Sequence, residues 1–240
     1  MILPTIRASF GRKDALHLVR LLGRDDPELG RRARARLEEG GVDSLLDDPR
    51  VQNALLTDPD VTAPPPLIFY VLVRHALLEG GIDDRETADY VASLVLGFGR
   101  AGRAYRIAED SDEEYHYLVD MVARMSEAGE RKAFLLRAHL GNYSLWISGL
   151  FPDYLEARVQ RRGAPPISYY EEMGATGYRM AADTAQAARL GVDNLYRDAA
   201  RRFTGLRAAL NRVSDRFLWP GGSNPVNRLL REVADRAEHR

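Results

Sequence analysis

Leu67-Ile68-Phe69-Tyr70-Val71-Leu72-Val73-Arg74-His75-Ala76-Leu77-Leu78-Glu79-Gly80-Gly81 is the stretch on which the fold turns. Its first seven residues suit a strand buried on both faces, which would place the chain among α/β proteins. The apolar character continues through Ala76, Leu77 and Leu78, beyond what a buried strand needs, and it stops at a glycine pair of the kind that closes helices. The stretch therefore reads as a central helix, apolar nearly all round and buried on every side. That decision settles Gly97-Phe98-Gly99-Arg100-Ala101-Gly102 as well. These residues match the GxGxxG fingerprint of a dinucleotide site, and Asp120 lies near the distance expected of a ribose-binding acid. The fingerprint works only as the turn from a strand into a helix of a parallel βαβ unit. Here the preceding residues have helical period and no strand follows, so the glycines read as a helix bend or a point of close approach.

On the N-terminal side, Asp26-Pro27, Asp48-Pro49 and Asp58-Pro59 each fit an N-cap aspartate followed by proline at the first helical position. Thr62-Ala63-Pro64-Pro65-Pro66 then stiffens the backbone and marks a boundary, giving a small helical segment over 1–62 and a main bundle over 63–240. On the C-terminal side, Asp83 or Asp84 caps one long helix carrying Val91, Leu94, Val95, Phe98 and Tyr105 at helical spacing. Ser111 with Glu114 predicts a capping box ahead of Tyr115, Leu118, Val119, Val122 and Met125. Further helices are expected over 130–150, from Pro152 to Arg162, and, after the Gly163-Ala164-Pro165-Pro166 turn, from a Ser168/Glu171 capping box to about Leu190. Gly191 suits the C-cap, and Ser223 or Asn224 before Pro225 opens a last helix. The expectation is an all-α, multi-helix bundle of about nine to twelve helices.

Composition narrows the partners. At 240 residues and 45% hydrophobic content a substantial core is available without staples, and the absence of cysteine removes disulfides, thiolate metal sites and cysteine nucleophiles together. A net charge of −1 argues against nucleic acid as the main partner, so Arg31 to Arg36 reads as a solvated helix face. No apolar run approaches the roughly 20 residues of a membrane span, and the N-terminus lacks a signal-peptide core, so a cytoplasmic chain with no membrane contact is expected. No resident metal or cofactor is implied. The lone Glu113-x-x-His116 lacks the companion ligands of a di-iron bundle and reads as an exposed polar stripe with Asp120 and Arg124.

The candidate chemistry gathers between residues 137 and 178, where seven of the twenty aromatic residues surround one glycine- and proline-rich turn. Leu135, His139, Asn142, Trp146 and Leu150 share a helical stripe, which sets two polar groups on an apolar face. His75 repeats the pattern with Ile68, Leu72 and Glu79. If the two helices face each other, His75, His139 and Asn142 converge, with Tyr143, Tyr170 and Glu171 closing over them as a ligand pocket. Alternatively Trp146, Phe151, Tyr154 and Tyr169 form a contact surface, since large amphipathic rings beside a rigid turn are typical of interfaces. Arg158, Arg161 and Arg162 add a means of gripping an anionic partner, tempered by nearby acids. The function expected is a non-catalytic interaction or regulatory module that uses the surface near residues 142–178 to bind a protein partner or itself as a homo-oligomer. The alternatives are a helical-bundle enzyme or small-molecule or metal-binding protein with a pocket near His75 and His139, and a nucleic-acid-binding helical protein.

Overall fold

A computed structural model describes residues 1–57, 63–100, 102–108 and 110–218. Among them the chain is all-α, with fourteen α-helices, no strand, and a single isolated bridge between Arg106 and Glu114. The helix count exceeds expectation because several helices are a single turn, such as Ile6–Ser9 and Asp43–Leu46. The helices gather into two compact units, one over Ile2–Leu96 and one comprising Met1 and Gly97 onward. This division differs from a boundary at 62/63, where Thr62 lies outside the described residues.

The first unit holds α1 (Ile6–Ser9), α2 (Arg12–Leu22), α3 (Pro27–Gly40), α4 (Asp43–Leu46), α5 (Pro49–Thr57), α6 (Pro65–Glu79) and most of α7 (Arg85–Phe98). Asp26 caps α3 by accepting from the Glu28 and Leu29 amides at 2.9 and 3.1 Å, with Pro27 at the first helical position. Asp48 does the same for α5 through the Arg50 amide at 3.0 Å. Asp58-Pro59 lies outside the described residues. α6 is the fold-deciding stretch, and it is a helix. Leu67 and every residue from Tyr70 to Leu77 are buried, including Arg74 and His75. Asp84 caps α7 by accepting from the Thr87 amide at 3.0 Å.

α7 ends at Phe98 instead of running to Tyr105, because Gly102 turns left-handed at φ 70° into a short 3-10 turn over Arg103–Tyr105. The glycine motif thus sits at the exit of a helix, with no strand to feed it. The Ser111/Glu114 pair also fails to start a helix. The Ser111 hydroxyl accepts from the Glu113 amide, and Glu114 instead bridges back to Arg106, with an ion pair at 3.1 Å. α8 therefore starts only at Leu118 and runs to Met125.

The second unit is built around α9 (Glu130–Leu150), whose C-terminal two thirds are buried almost without interruption. α10 (Pro152–Arg162), α11 (Ile167–Ala182), α12 (Ala185–Leu190), α13 (Asp193–Arg201) and α14 (Phe203–Val213) complete it, and α9 packs most extensively on α11 and then on α14. Small residues set that approach. A Cβ on Gly177 would lie 2.8 Å from the Arg137 carbonyl oxygen and the Gly141 amide nitrogen, backbone atoms that cannot swing aside. Ser168 does not cap α11, which starts at Ile167 with Pro166 in the cap position. Gly191 closes α12 at φ 68°, as its sequence position predicts. The helix expected to open at Pro225 lies outside the described residues.

Candidate functional site

The site is assembled by the corner between α9 and α10. Pro152 cannot continue the α9 hydrogen-bond ladder, so the chain breaks at Phe151 and restarts as α10. The carbonyls exposed by that break are buried and must find donors. The Asn211 side-chain amide donates to the Ser148 and Gly149 carbonyls at 2.9 and 2.7 Å, and the Ser214 hydroxyl donates to Leu150 at 2.8 Å. The corner is thereby pinned. It brings Trp146 and Phe151 edge to face with ring centroids 4.9 Å apart, and leads into α10 with Tyr154 and Arg158 one turn apart on one face. Gly163, at φ 61°, ends α10, and α11 starts with Tyr169 and Tyr170 in perpendicular contact at 5.7 Å. α10 packs against both α9 and α11.

Charges from neighbouring tyrosines and from Arg158 reach one another there. Burial drives the Tyr143 hydroxyl well above the usual phenol pKa, reinforced by Tyr105, Tyr170 and Tyr154 and opposed by Arg158. Tyr170 is likewise raised by burial, again opposed by Arg158. The Arg158 guanidinium lies over the Tyr154 ring, 5.5 Å from its centroid. Its Nε is buried without a hydrogen-bond acceptor, and no carboxylate among the described residues pairs with it. Tyr143 and Tyr170 are each 8% exposed while Tyr154 is 53% exposed; Trp146, Phe151 and Tyr169 are half-buried. The aromatic residues thus form a graded face, buried at α9 and open at α10.

Behind this face the rings continue inward. Phe98 contacts both His139 and Trp146, at 5.5 and 5.8 Å, and Tyr105 joins Tyr143 to His116 at 6.1 and 4.4 Å. His139 is 2% exposed, and burial, followed by the nearby Arg103 charge, pushes its pKa down to about 3. It is a neutral core histidine near physiological pH, with Nε2 unpartnered. Asn142 accepts the Tyr178 hydroxyl at 3.0 Å, and Tyr178, wholly buried, stacks on Tyr196 at 5.6 Å. Glu171 accepts from Arg207 at 2.8 Å, and Arg207 also donates to Asn211. Asn142 and Glu171 are therefore engaged in tying α9, α11 and α14 together. His75 belongs to the other unit, where its Nε2 meets the Leu46 carbonyl at 3.0 Å and burial lowers its pKa.

Two features had no counterpart in the sequence reading. In the first unit, Arg74 is 1% exposed and reaches Asp47 at 2.8 Å and Asp83 at 2.5 Å, with Arg85 adding a second cation on Asp47 at 2.6 Å. Only the apolar surroundings of Arg74 in α6 hinted at a buried charge needing partners. In the second unit, a cleft of about 1080 Å³ opens between the 107–113 loop, the start of α9 and α12. Glu113 and Lys132 at its wall neutralise each other at 2.7 Å, and Glu113 also accepts from Tyr115 at 2.5 Å. Among the described residues no group of three or more His, Cys, Asp or Glu is arranged to hold a metal ion, and no helix is long and apolar enough to cross a membrane. Comparison with protein-family models, with curated proteins and with solved structures finds no match for this chain.

Proposed function

We propose that this protein is a non-catalytic recognition module whose contact surface is the tyrosine face of α9, α10 and α11, and that the partner is a second copy of the chain. The observation that carries the reading is the graded exposure: Tyr154 stands open at 53% while Trp146, Phe151 and Tyr169 are half-buried around it. An amphipathic ring presented on a pinned corner, flanked by packed rings, has the make-up of an interface anchor with its surround. The chemistry of the face supports binding over catalysis. Its two buried phenols, Tyr143 and Tyr170, are raised above their ordinary pKa by burial, and its cation is a permanent guanidinium, none of which exchanges protons near neutrality as a general base must. His139, the sequence candidate for that role, is buried and neutral.

Native mass spectrometry of the full chain over a concentration series tests the reading. Oligomers that weaken at least about tenfold in Tyr154→Ala, the size of a modest hot spot, support it. A chain that stays monomeric at the highest concentration overturns it.

A further inference from the structure

The buried charges of the first unit are answered by opposite ones, with one exception. Asp48 has Arg36 and Arg50, and Arg74 has Asp47 and Asp83. Asp89, on α7 and 7% exposed, has no salt-bridge partner among the described residues. The cations that could answer it are committed elsewhere. Arg85, one turn earlier on α7, pairs with Asp47, and Arg7, whose charge reaches Asp89, is bonded to Asp43 of α4 at 2.8 Å. Tyr70 of α6, which senses the same Arg7 charge, is driven up to about 12 by burial and stays neutral. Asp89 is held instead by the backbone of α1. Its Oδ1 accepts from the Ile6 and Arg7 amides at 2.8 and 3.1 Å. Ser93, one turn further along α7, bonds to the same carboxyl and accepts from the Thr5 amide at 3.4 Å. Thr5 makes no side-chain cap of its own, so Asp89 does from 82 residues or more away what Asp26 does locally for α3.

The rest of the attachment is slight. Among residues 2–10 only Ile2 and Ile6 are buried, Thr5 and Arg7 to Ser9 are exposed, and Phe10 meets Tyr70 edge to face at 5.5 Å. A single helical turn with two buried side chains belongs to the low-stability end of a fold, where a segment opens without the rest. We propose that residues 2–10 form a strap that opens from α6 and α7 on its own, with the Asp89 carboxyl as its latch. A carboxylate enclosed without a side-chain cation loses hydration that the amides replace only in part, and opening restores it. Burial accordingly raises the Asp89 pKa, against the pull of the Arg7 and Ile6 amides and the Arg7 charge. A group whose pKa is higher with the strap closed holds it best when protonated. The latch is therefore firmest below the usual aspartate pKa of about 3.9, and it loosens as pH rises through the closed-state value. The device lies in the first unit and does not depend on the tyrosine face.

Hydrogen exchange of the full-length chain, read amide by amide by NMR and corrected for intrinsic rates, tests this between about pH 4.5 and about pH 7.5. Asp43 stays ionised across that range because its hydrogen bond from Arg7 lowers its pKa, so the Arg7–Asp43 pair does not supply the pH dependence. The Ile6 and Arg7 amides should exchange at least about tenfold faster than those of Leu72 and Val73 in α6, and should lose protection as pH rises. Asp89→Asn keeps an acceptor without the charge, so its Ile6 and Arg7 protection should be flat with pH and higher than wild type near neutrality. Asp89→Ala should speed the same two amides several-fold and leave Leu72 and Val73 unchanged. Exchange of Ile6 and Arg7 in step with α6, protection that ignores pH, an unchanged pH dependence in Asp89→Asn, or equal acceleration of α6 in Asp89→Ala each overturns the proposal.

Discussion

In the first unit, Arg74 is 1% exposed and clasped by Asp47 and Asp83, whereas at the tyrosine face of the second, Arg158 lies over a phenol ring with no carboxylate paired to it among the described residues. The contrast extends beyond the two arginines. Asp89 aside, the first unit meets its buried charges with opposite ones: Arg74 with Asp47 and Asp83, and the buried Asp48 with the more exposed Arg36 and Arg50. The core behind the tyrosine face keeps many of its polar groups neutral: His139, Tyr143, Tyr170, and the Asn142–Tyr178 pair. Buried ion pairs are costly to break and difficult to leave half made, so they serve structure. A cation that stacks on a ring with no paired carboxylate among the described residues is expected to add little to stability.

Several measurements break or sharpen that contrast. The largest effect is expected from Asp47→Ala, which takes the main partner from a buried guanidinium and should cost about 3 kcal/mol or more by chemical denaturation; a loss below about 1 kcal/mol would mean that Asp83 alone satisfies Arg74. Acid should separate the two strategies next. His139 has a folded pKa of about 3 against about 6.5 unfolded, so the unfolded chain takes up the proton first and stability falls as pH drops below about 6.5, by about 2 kcal/mol at pH 5. His139→Leu should flatten that part of the profile, while His75, also lowered, keeps its own share. The aspartates of the first unit act lower. The Arg7 hydrogen bond lowers Asp43 and the Arg50 hydrogen bond lowers Asp48, so their contribution is whole above about pH 4 and is lost as the pH falls through their folded values. A smaller change is expected from Tyr178→Phe, which deletes one buried neutral hydrogen bond and should cost about 1 kcal/mol in urea unfolding. The smallest comes from Arg158→Gln, expected to shift stability by no more than about 0.5 kcal/mol. A large loss there would place Arg158 with Arg74 as a structural cation.

The sequence made α6 legible because its apolar run outlasts a strand and ends on glycines, and the Asp26 and Asp48 caps because their partners are two or three residues away. The start of α8 was not legible. Ser111 and Glu114 have the spacing of a capping box, yet Glu114 is claimed by Arg106 across a loop, a contact that local spacing does not encode. The aromatic make-up of the face was readable from residues 143 to 170, since those rings cluster in sequence. Which polar groups were already engaged was not, because Asn142 meets Tyr178 and Glu171 meets Arg207 across 36 residues each. That Arg158 stacks on Tyr154 and pairs with no carboxylate among the described residues depends on three-dimensional surroundings, and acids adjacent in sequence suggested the opposite.

The donors that Asn211 and Ser214 supply to the last carbonyls of α9 have a consequence for motion. A helix end ordinarily frays because its terminal carbonyls trade easily with water. Here those carbonyls are held by side chains more than sixty residues further along the chain, so the end of α9 opens only when α14 lifts away from it. Amides in the last turn of α9 should then exchange with deuterium at the pace of the helix centre, and the corner beneath Tyr154 behaves as a hinge with its pin in place.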